Sequence, residues 1–574
     1  MKKIIVKELK KQTNLSRKKI EEMIEIPPAF HLGNYAFPCF SLAKKGRSPE
    51  KTAKDIARKI KPIEGISKIE VSGPYINFFI DEKKLAEDVI SKILTEKKKY
   101  GSGKEMKKII IEFSSPNIGK PMHVGHIRST ILGDSLKNIF KFLGNKVVSI
   151  NYLGDYGLHI GKLIVAYKLW GNAEKIKMNP EKELLNLYVK FCEKEDSFIE
   201  KNFKNFSGIQ KYRNNKWTQK AIREVNKLEC NNIESKKILR KIKKYSLKSI
   251  FKIYKLLDIK FDEIVGQSSF SHIGKEIIKR AVENEVAIKG KEGNIIVNLK
   301  EYNLPNKIVL RSNKSSLYST QDIGAAVKRY KKYKFDKMIY VVGSSQKVYF
   351  QQLFKILEKF GYKWANKLVH LPFGLLYLDK EKISSRRGKV IFLKDVIDKT
   401  EELAFKQIIK ENPGLKNKRN IAREIAISTL KYFILSREPG RNIEFNFSRE
   451  ISFEGNTGSY LQYSYARASS ILKKAKRKKI RLKPDIIDLT DQENKIVRKL
   501  SKFPENLRET SKQLNPALLS NYLFELAQLF NKFYHSCPVI NSNQKEFRIT
   551  LVKSFKIVLG EGLRLLGIKP LEKM

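Results

Sequence analysis

The chain has 574 residues, 41% of them hydrophobic, so several packed cores are expected and wholesale disorder is excluded. Its 116 lysines and arginines against 60 acidic residues give a formal charge of +56. That surplus suits polyanionic partners, because each neutralised phosphate releases counterions, although a lysine-rich proteome produces the same bias. Cys39, Cys192, Cys230 and Cys537 form no CxxC pair, the opening MKKIIVKELKKQT is too short an apolar run for a secretory signal, and no stretch is long enough to cross a bilayer. A soluble cytoplasmic protein with no disulfide framework and no metal site is expected.

From the N-terminus, Lys7 to Ile24 reads as one charged helix ending before Pro27-Pro28. Ser48 followed by Pro49 starts another, and Ile66 to Ile80 (ISKIEVSGPYINFFI) alternates as two strands around Gly73-Pro74. Glu96 to Lys104 (EKKKYGSGK) reads as a linker. Next comes EFSSPNIGKPMHVGHIRSTILGD, Glu112 to Asp134, around which the chain is organised. Lys107 to Phe113 before it is a short apolar strand. Val124, Ile127, Ile131, Leu132, Leu136, Ile139, Phe140 and Leu143 recur at helical spacing after it.

His123 and His126 therefore share one face of the helix's first turn. Free N–H groups and the dipole at a helix start attract anions, and two imidazoles there add donors, an arrangement suited to a triphosphate. Gly125 leaves room for an adenine ring against the backbone. An ordinary amphipathic helix fits the same four residues. Zinc does not, since the metalloprotease pattern needs an i, i+4 pair with a Glu between.

Lys146 to Ile150 is a second strand, followed by NYLGDYGLHIG from Asn151 to Gly161. A glycine-bearing loop past a strand end is where open α/β sheets bind ligands. Lys168 to Ile259 reads as a charged helical insertion whose clusters (Lys236, Lys237, Lys241, Lys243, Lys244) form a solvated face. The second half of the sheet is expected to begin at Ile295 (IIVNL), with further strands at Ile308 to Arg311 and Lys337 to Val342. SSLYSTQDIGAAVKRY lies between the last two, and VGSSQ ends at Gln346. Leu378 to Val396 (LDKEKISSRRGKVIFLKDV) is a serine- and glycine-containing loop whose Lys382, Arg386 and Arg387 are able to close over a pyrophosphate.

The last 170 residues or so are helical. Leu518, Leu519, Tyr522, Leu523, Leu526, Leu529 and Phe530 form a core face. Tyr463 and Arg467 stand one turn apart in NTGSYLQYSYARASSIL, either as a stacking platform for unpaired bases or as packing residues.

HVGH resembles the HxGH signature of class I aminoacyl-tRNA synthetases. With GNYAFP, GPYINFF, EFSSPN, NYLGDYGLHIG, LYSTQDI, KISSRRG and the C-terminal pieces, the chain resembles arginyl-tRNA synthetases in order from about residue 27 to its end. The resemblance implies an α/β, Rossmann-like parallel-sheet catalytic domain over 105–400 with a helical insertion at about 168–260. It adds a small α+β N-terminal domain over 1–97 and a C-terminal all-α helical bundle over 401–574. It implies activation of L-arginine by ATP, with Mg²⁺ on the phosphates, and transfer to tRNA(Arg) by a monomer.

Carried over residue by residue, ATP would meet Asn117, Gly119, His123, Gly125, His126, Lys382 and Ser384, with His123, His126, Lys382 and Arg386 catalytic. Arginine would meet Glu112, Asn117, His123, Asp155, Tyr318, Asp322 and Gln346. A guanidinium needs carboxylate and hydroxyl acceptors in a fixed fork, and Tyr318 and Asp322, four apart on one helical face, supply both. Transfer RNA would meet Tyr75 and Asn77 through its D-loop, and Tyr460, Gln462, Tyr463 and Arg467 through its anticodon. His159 stands where the family has Gln.

A non-catalytic tRNA-binding relative and a small-molecule nucleotidyltransferase are the alternatives; the second is usually far shorter and has no need of a helical bundle. Without the resemblance, the residues lead only to an α/β nucleotide-binding enzyme with basic helical appendages.

Overall fold

Isoleucine-rich Lys108–Glu112 (β1) is buried along nearly its whole length, as a strand in the middle of a parallel sheet must be. It pairs in parallel with Lys146–Leu153 (β2), which pairs with Glu263–Gly266 (β3). On its other side β1 pairs with Lys337–Gly343 (β4), and β4 with Leu368–Phe373 (β5). The order across the sheet is β3-β2-β1-β4-β5, a doubly wound arrangement that switches direction between β1 and β4. Ligands bind at the carboxyl ends of the strands beside such a switch.

The computed structural model describes residues 2–25, 27, 32–43, 46–202, 215–378, 392–446, 450, 455–480, 482 and 488–574. They form two compact units. One comprises 1–100, 468–503 and 526–558, the other 101–467, 504–525 and 559–574.

In the second unit the helix Val124–Phe142 follows β1, and the described residues of the insertion between β2 and β3 are mainly helical as expected, ending in Lys216–Glu229 and Ile233–Leu256. Ile110, Met338 and Tyr340 of the sheet pack with Ile323 and Ala326 of Tyr318–Tyr333 and with Leu353 and Ile356 of Lys347–Lys359. The strands at Ile295–Val297 and Lys307–Leu310 are not the second half of this sheet. With Ile288–Lys289 they make a separate antiparallel sheet, Ile295 opposite Leu310 and Val297 opposite Lys307. The reason is burial. These strands are short and partly solvated, which antiparallel pairing tolerates and a central parallel position does not. Toward the C-terminus, Ala404, Ile408, Ala422 and Ile425 enclose Leu571, and the Asn412 amide holds the Met574 carbonyl at 3.1 Å.

In the first unit, Tyr35–Pro38, Tyr75–Ile80 and Ile66–Ser72 form an antiparallel sheet with Tyr75–Ile80 in the middle. The helix Pro49–Lys59 starts as expected, with Ser48 capping it and Pro49 in its first turn. The single helix expected over Lys7 to Ile24 is two, Lys2–Gln12 and Arg17–Met23. Ser16 accepts from Lys19 N and caps the second, so a residue able to bond its own backbone ends one helix and begins the next. Phe37, Ile76 and Phe78 form the core here, while Phe530 and Phe555 stack at 3.8 Å among the C-terminal helices.

Candidate functional site

The helix after β1 opens with an unusual cap. His123 occupies the N-cap position, its Nδ1 accepting from Gly125 N at 3.0 Å. His126 returns the favour, its Nδ1 accepting from His123 N at 3.2 Å. The rings lie 4.0 Å apart. Because both Nδ1 atoms are acceptors, each neutral imidazole carries its proton on Nε2. A Cβ on residue 125 would stand 2.8 Å from His123 Cε1, so Gly125 is required by the cap itself, whatever it also allows a nucleotide.

Burial lowers the His123 pKa to about 4, helped by Lys120, and drives that of His126 well below its ordinary value. The pair is therefore two neutral donors, since a second positive charge beside Lys120 in a desolvated site is disfavoured.

His126 opens onto a cavity of about 900 Å³ at the carboxyl ends of β1 and β4, shared with Gly125, Asn117, Tyr318, Asp322 and Gln346. Ser114 and Ser115, at φ 70° and 46°, turn the chain out of β1 at its rim. Left-handed backbone at non-glycine residues is strained and concentrates at functional sites.

The cavity floor holds two carboxylates. Arg329 lies across Glu112, Nη1 to Oε2 2.5 Å, and both are buried. Burial raises the Glu112 pKa to about 7 even beside a guanidinium that keeps its proton. Asp322 is held instead by the Tyr349 hydroxyl, which donates to it. Burial raises its pKa too, while Arg329 and Lys307 oppose the rise. Lys307 sits over the Tyr349 ring at 4.7 Å. Asp322 is thus the acid left facing the cavity.

Other expected residues fall elsewhere. Asp155 does not line the cavity. Its buried carboxylate accepts from Lys243 Nζ at 2.8 Å, Ser268 N at 2.9 Å and Ser268 Oγ at 3.0 Å, so it fastens the β2 and β3 loops together. His123 contributes through its contact with His126 and is not among the lining residues. Gly119, at φ 80°, gives its N–H to Ser246 Oγ, and its missing side chain makes room for Leu163. His159 Nε2 bonds the Gly154 carbonyl at 3.1 Å, and burial lowers its pKa to about 4.

Lys382, Ser384, Arg386 and Arg387 lie outside the described residues. Phe392, the first described residue after them, bridges His123.

Among the residues assigned to RNA, Tyr75 is half-buried against the exposed Phe40 at 5.6 Å, whereas Asn77 is buried mid-sheet. Tyr463 is exposed with Arg467 across its ring at 4.8 Å, and Tyr460 lies against Phe524. Gln462 is not presented outward: it is fully buried and gives its amide to the Lys569 carbonyl at 2.9 Å.

Sequence reasoning passed over Arg329, Tyr349 and Glu229. Glu229, from the insertion, accepts from Ser316 N at 2.8 Å, from Lys275 at 3.0 Å and from the Tyr156 hydroxyl. It ties the loop holding Gly157 to the residue two before Tyr318. No local pattern signals a contact between residues 87 apart.

Comparison with known proteins gives a consistent result. Residues 89–447 match the family described as tRNA synthetases class I (R), catalytic domain. Residues 461–574 match the DALR anticodon binding domain, and 1–80 the arginyl tRNA synthetase N terminal domain. An arginine–tRNA ligase of Halothermothrix orenii is 40% identical over 570 residues, covering 98% of this chain and 97% of that protein. One of Clostridioides difficile is 39% identical over 572 residues, with the same coverage. Among solved structures, the arginyl-tRNA synthetase of Thermus thermophilus superposes with a TM-score of 0.80 at 22% identity, each chain covered fully. That of Plasmodium falciparum gives 0.76 at 22%, covering 100% of this chain and 99% of the other. At that identity the two structures speak for the fold.

Proposed function

The chain belongs to the class I arginyl-tRNA synthetases, and on that premise we propose that its cleft activates L-arginine with ATP and passes it to the 3′ end of tRNA(Arg). The observation that carries this reading is the single cavity shared by His126, Asn117, Tyr318, Asp322 and Gln346. It puts the neutral donor His126, at a helix start, in the same cavity as an acid suited to a guanidinium, at the switch point of a doubly wound sheet.

In the first step the arginine carboxylate attacks the α-phosphorus of ATP. The bond to the bridging oxygen breaks, pyrophosphate leaves with its electrons, and arginyl-adenylate remains. The Nε2–H of His126 donates to a phosphate oxygen as charge moves toward the leaving group, with His123 acting through the cap that holds His126 in place. Lys382, Ser384 and Arg386 are assigned to that group from their sequence motif alone. Asp322 and Tyr318 receive the guanidinium, with Gln346, Asn117 and Glu112 completing the pocket; Glu112 acts through Arg329.

Mg²⁺ supplies charge neutralisation on the triphosphate when bound. The described residues offer no cluster of three or more His, Cys, Asp or Glu to cage it, which suits an ion held mainly by phosphate and water. In the second step the terminal ribose hydroxyl of the tRNA attacks the arginyl carbonyl and AMP departs. Tyr75, Tyr460, Tyr463 and Arg467 are assigned to RNA. Asn77 and Gln462 serve as buried supports in place of the base contacts their motifs suggest. The enzyme is assigned as a cytoplasmic monomer; no helix among the described residues is long and apolar enough to cross a membrane.

The test is a filter assay with each radiolabelled amino acid, with and without bulk tRNA. Only arginine should be retained, and only with tRNA. Retention of another amino acid, or tight tRNA binding without charging, would overturn the reading.

A further inference from the structure

Lysines are abundant throughout this chain, but they are not deployed alike. On several exposed helix faces they are paired with carboxylates one turn away, as in Lys54–Glu50, Lys279–Glu283, Lys355–Glu358 and Lys495–Asp491. The insertion helix Ile233–Leu256 breaks that habit. Lys237, Lys241, Lys244, Lys248, Lys252 and Lys255 are all exposed, at spacings of four, three, four, four and three. That is one continuous stripe, roughly 27 Å long at 1.5 Å per residue.

None of the six takes part in an ion pair among the described residues, and the helix's one acid, Glu234, lies ahead of the stripe and pairs with Lys168. Like charges three and four apart repel and destabilise the helix. On the four helices just named, by contrast, a carboxylate stands within one turn of the lysine.

The surroundings add further positive charge, part of it paired, Lys394 with Asp398, Arg423 with Glu401 and Lys569 with Glu424. Lys244, Lys248 and Lys252 line a groove of about 720 Å³ with Lys177, Tyr245 and the exposed Phe251. Lys252 and Lys255 continue into a second recess of about 1360 Å³, where Lys260, Lys394, Arg423 and Lys569 join them. The acids there are fewer: Glu181 in both recesses, and Asp134, Asp258 and Glu424 in the second.

We propose that this stripe is a track for the sugar–phosphate backbone of the tRNA substrate, with Tyr245 and Phe251 beside it as apolar contacts for an unpaired nucleotide. A row of unpaired cations at helical spacing recognises a repeating polyanion, and of the polyanions such an enzyme meets, the tRNA must be held during catalysis. The inference rests on the reading of the chain as a tRNA-charging enzyme.

The test is Lys244→Gln/Lys248→Gln/Lys252→Gln in the full chain, with tRNA affinity measured by filter binding across a series of KCl concentrations. Each phosphate left without its lysine lowers the slope of log K against log salt by about 0.7–0.9. The triple variant should therefore lose roughly 2–3 in slope and raise the KM for tRNA at least tenfold, on the order of the affinity such phosphate neutralisation carries, with kcat and arginine binding held.

Two controls separate position from charge. Replacing the same three residues with arginine should preserve the slope. Lys54→Gln/Lys279→Gln/Lys355→Gln removes equal charge from paired lysines and should leave the slope near wild type. The proposal is overturned if the two glutamine triples have the same slope, or if the stripe variant matches wild type while wild type charges tRNA with arginine. Failure of wild type to charge at all would instead overturn the functional reading beneath it.

Discussion

Replacing Asp322 with asparagine tests the arginine pocket directly. The change keeps side-chain size and one acceptor for the Tyr349 hydroxyl that donates to it. What it removes is the negative charge facing the cavity. Arg329 already lies across Glu112 at 2.5 Å, so no second carboxylate is free to substitute. Removing one partner of a buried ion pair costs about 3–5 kcal/mol, because the other charge is left desolvated and uncompensated. Asp322 is only partly enclosed, so the lower end applies, about 10²-fold in kcat/KM for arginine at about 1.4 kcal/mol per decade.

Lys307 pushes the same way, since its ammonium beside Asp322 loses a counter-charge and repels an incoming guanidinium. Citrulline, whose urea is neutral, should lose far less. The assay is amino-acid-dependent ATP–pyrophosphate exchange in the presence of tRNA, comparing arginine with citrulline. If Asp322→Asn still prefers arginine by the wild-type margin, the pocket has been assigned to the wrong acid.

Three further outcomes are expected. Gly125→Ala would put a Cβ 2.8 Å from His123 Cε1 and 2.9 Å from Nδ1, displacing the ring from its cap and costing about 10²-fold in kcat for adenylate formation, as when one transition-state donor is removed; a rate close to that of wild type would separate the cap from catalysis. Glu229→Ala leaves Ser316 N without its acceptor and the Tyr156 hydroxyl with only the Ser316 carbonyl at 3.5 Å, at about 1–3 kcal/mol for a buried donor so stranded, and should raise the KM for arginine at least tenfold with the KM for ATP little changed. Glu229→Gln, which keeps an acceptor, should recover part of it, and equal effects on both KM values would point to a general structural role. The last concerns pH. His159 has its folded pKa lowered to about 4 by burial, so between about 6.5 and 4 the unfolded chain binds a proton that the native state refuses, and stability falls on acidification by up to about 1.4 kcal/mol per pH unit. His123 and His126 act in the same direction, whereas Glu112, raised to about 7, acts oppositely between 4.5 and 7. His159→Gln keeps a donor for the Gly154 carbonyl and should flatten the unfolding free energy against pH over that range; a curve parallel to wild type would show that this ring titrates normally.

The parts of this protein encoded in contiguous residues could be read from the chain alone. The apolar run of β1, the glycine and two histidines opening the helix after it, and the Ser48-Pro49 start each depend on neighbours within one or two turns, and each formed as expected. Charge pairing was legible only in part. Local spacing puts lysines on a shared face of Ile233–Leu256, but only the folded surroundings reveal that the face lacks carboxylate partners among the described residues.

Tertiary structure alone decided what each polar group was free to do. Burial made the two histidines neutral, Lys243 and Ser268 drew Asp155 out of the cavity, and the Lys569 carbonyl claimed Gln462. Arg329 came to Glu112 from 217 residues away. The physical reason is one of range. Backbone geometry is settled by side chains a few residues apart, whereas the charge a group carries and the direction it faces depend on desolvation and on partners that only the closed chain brings within reach.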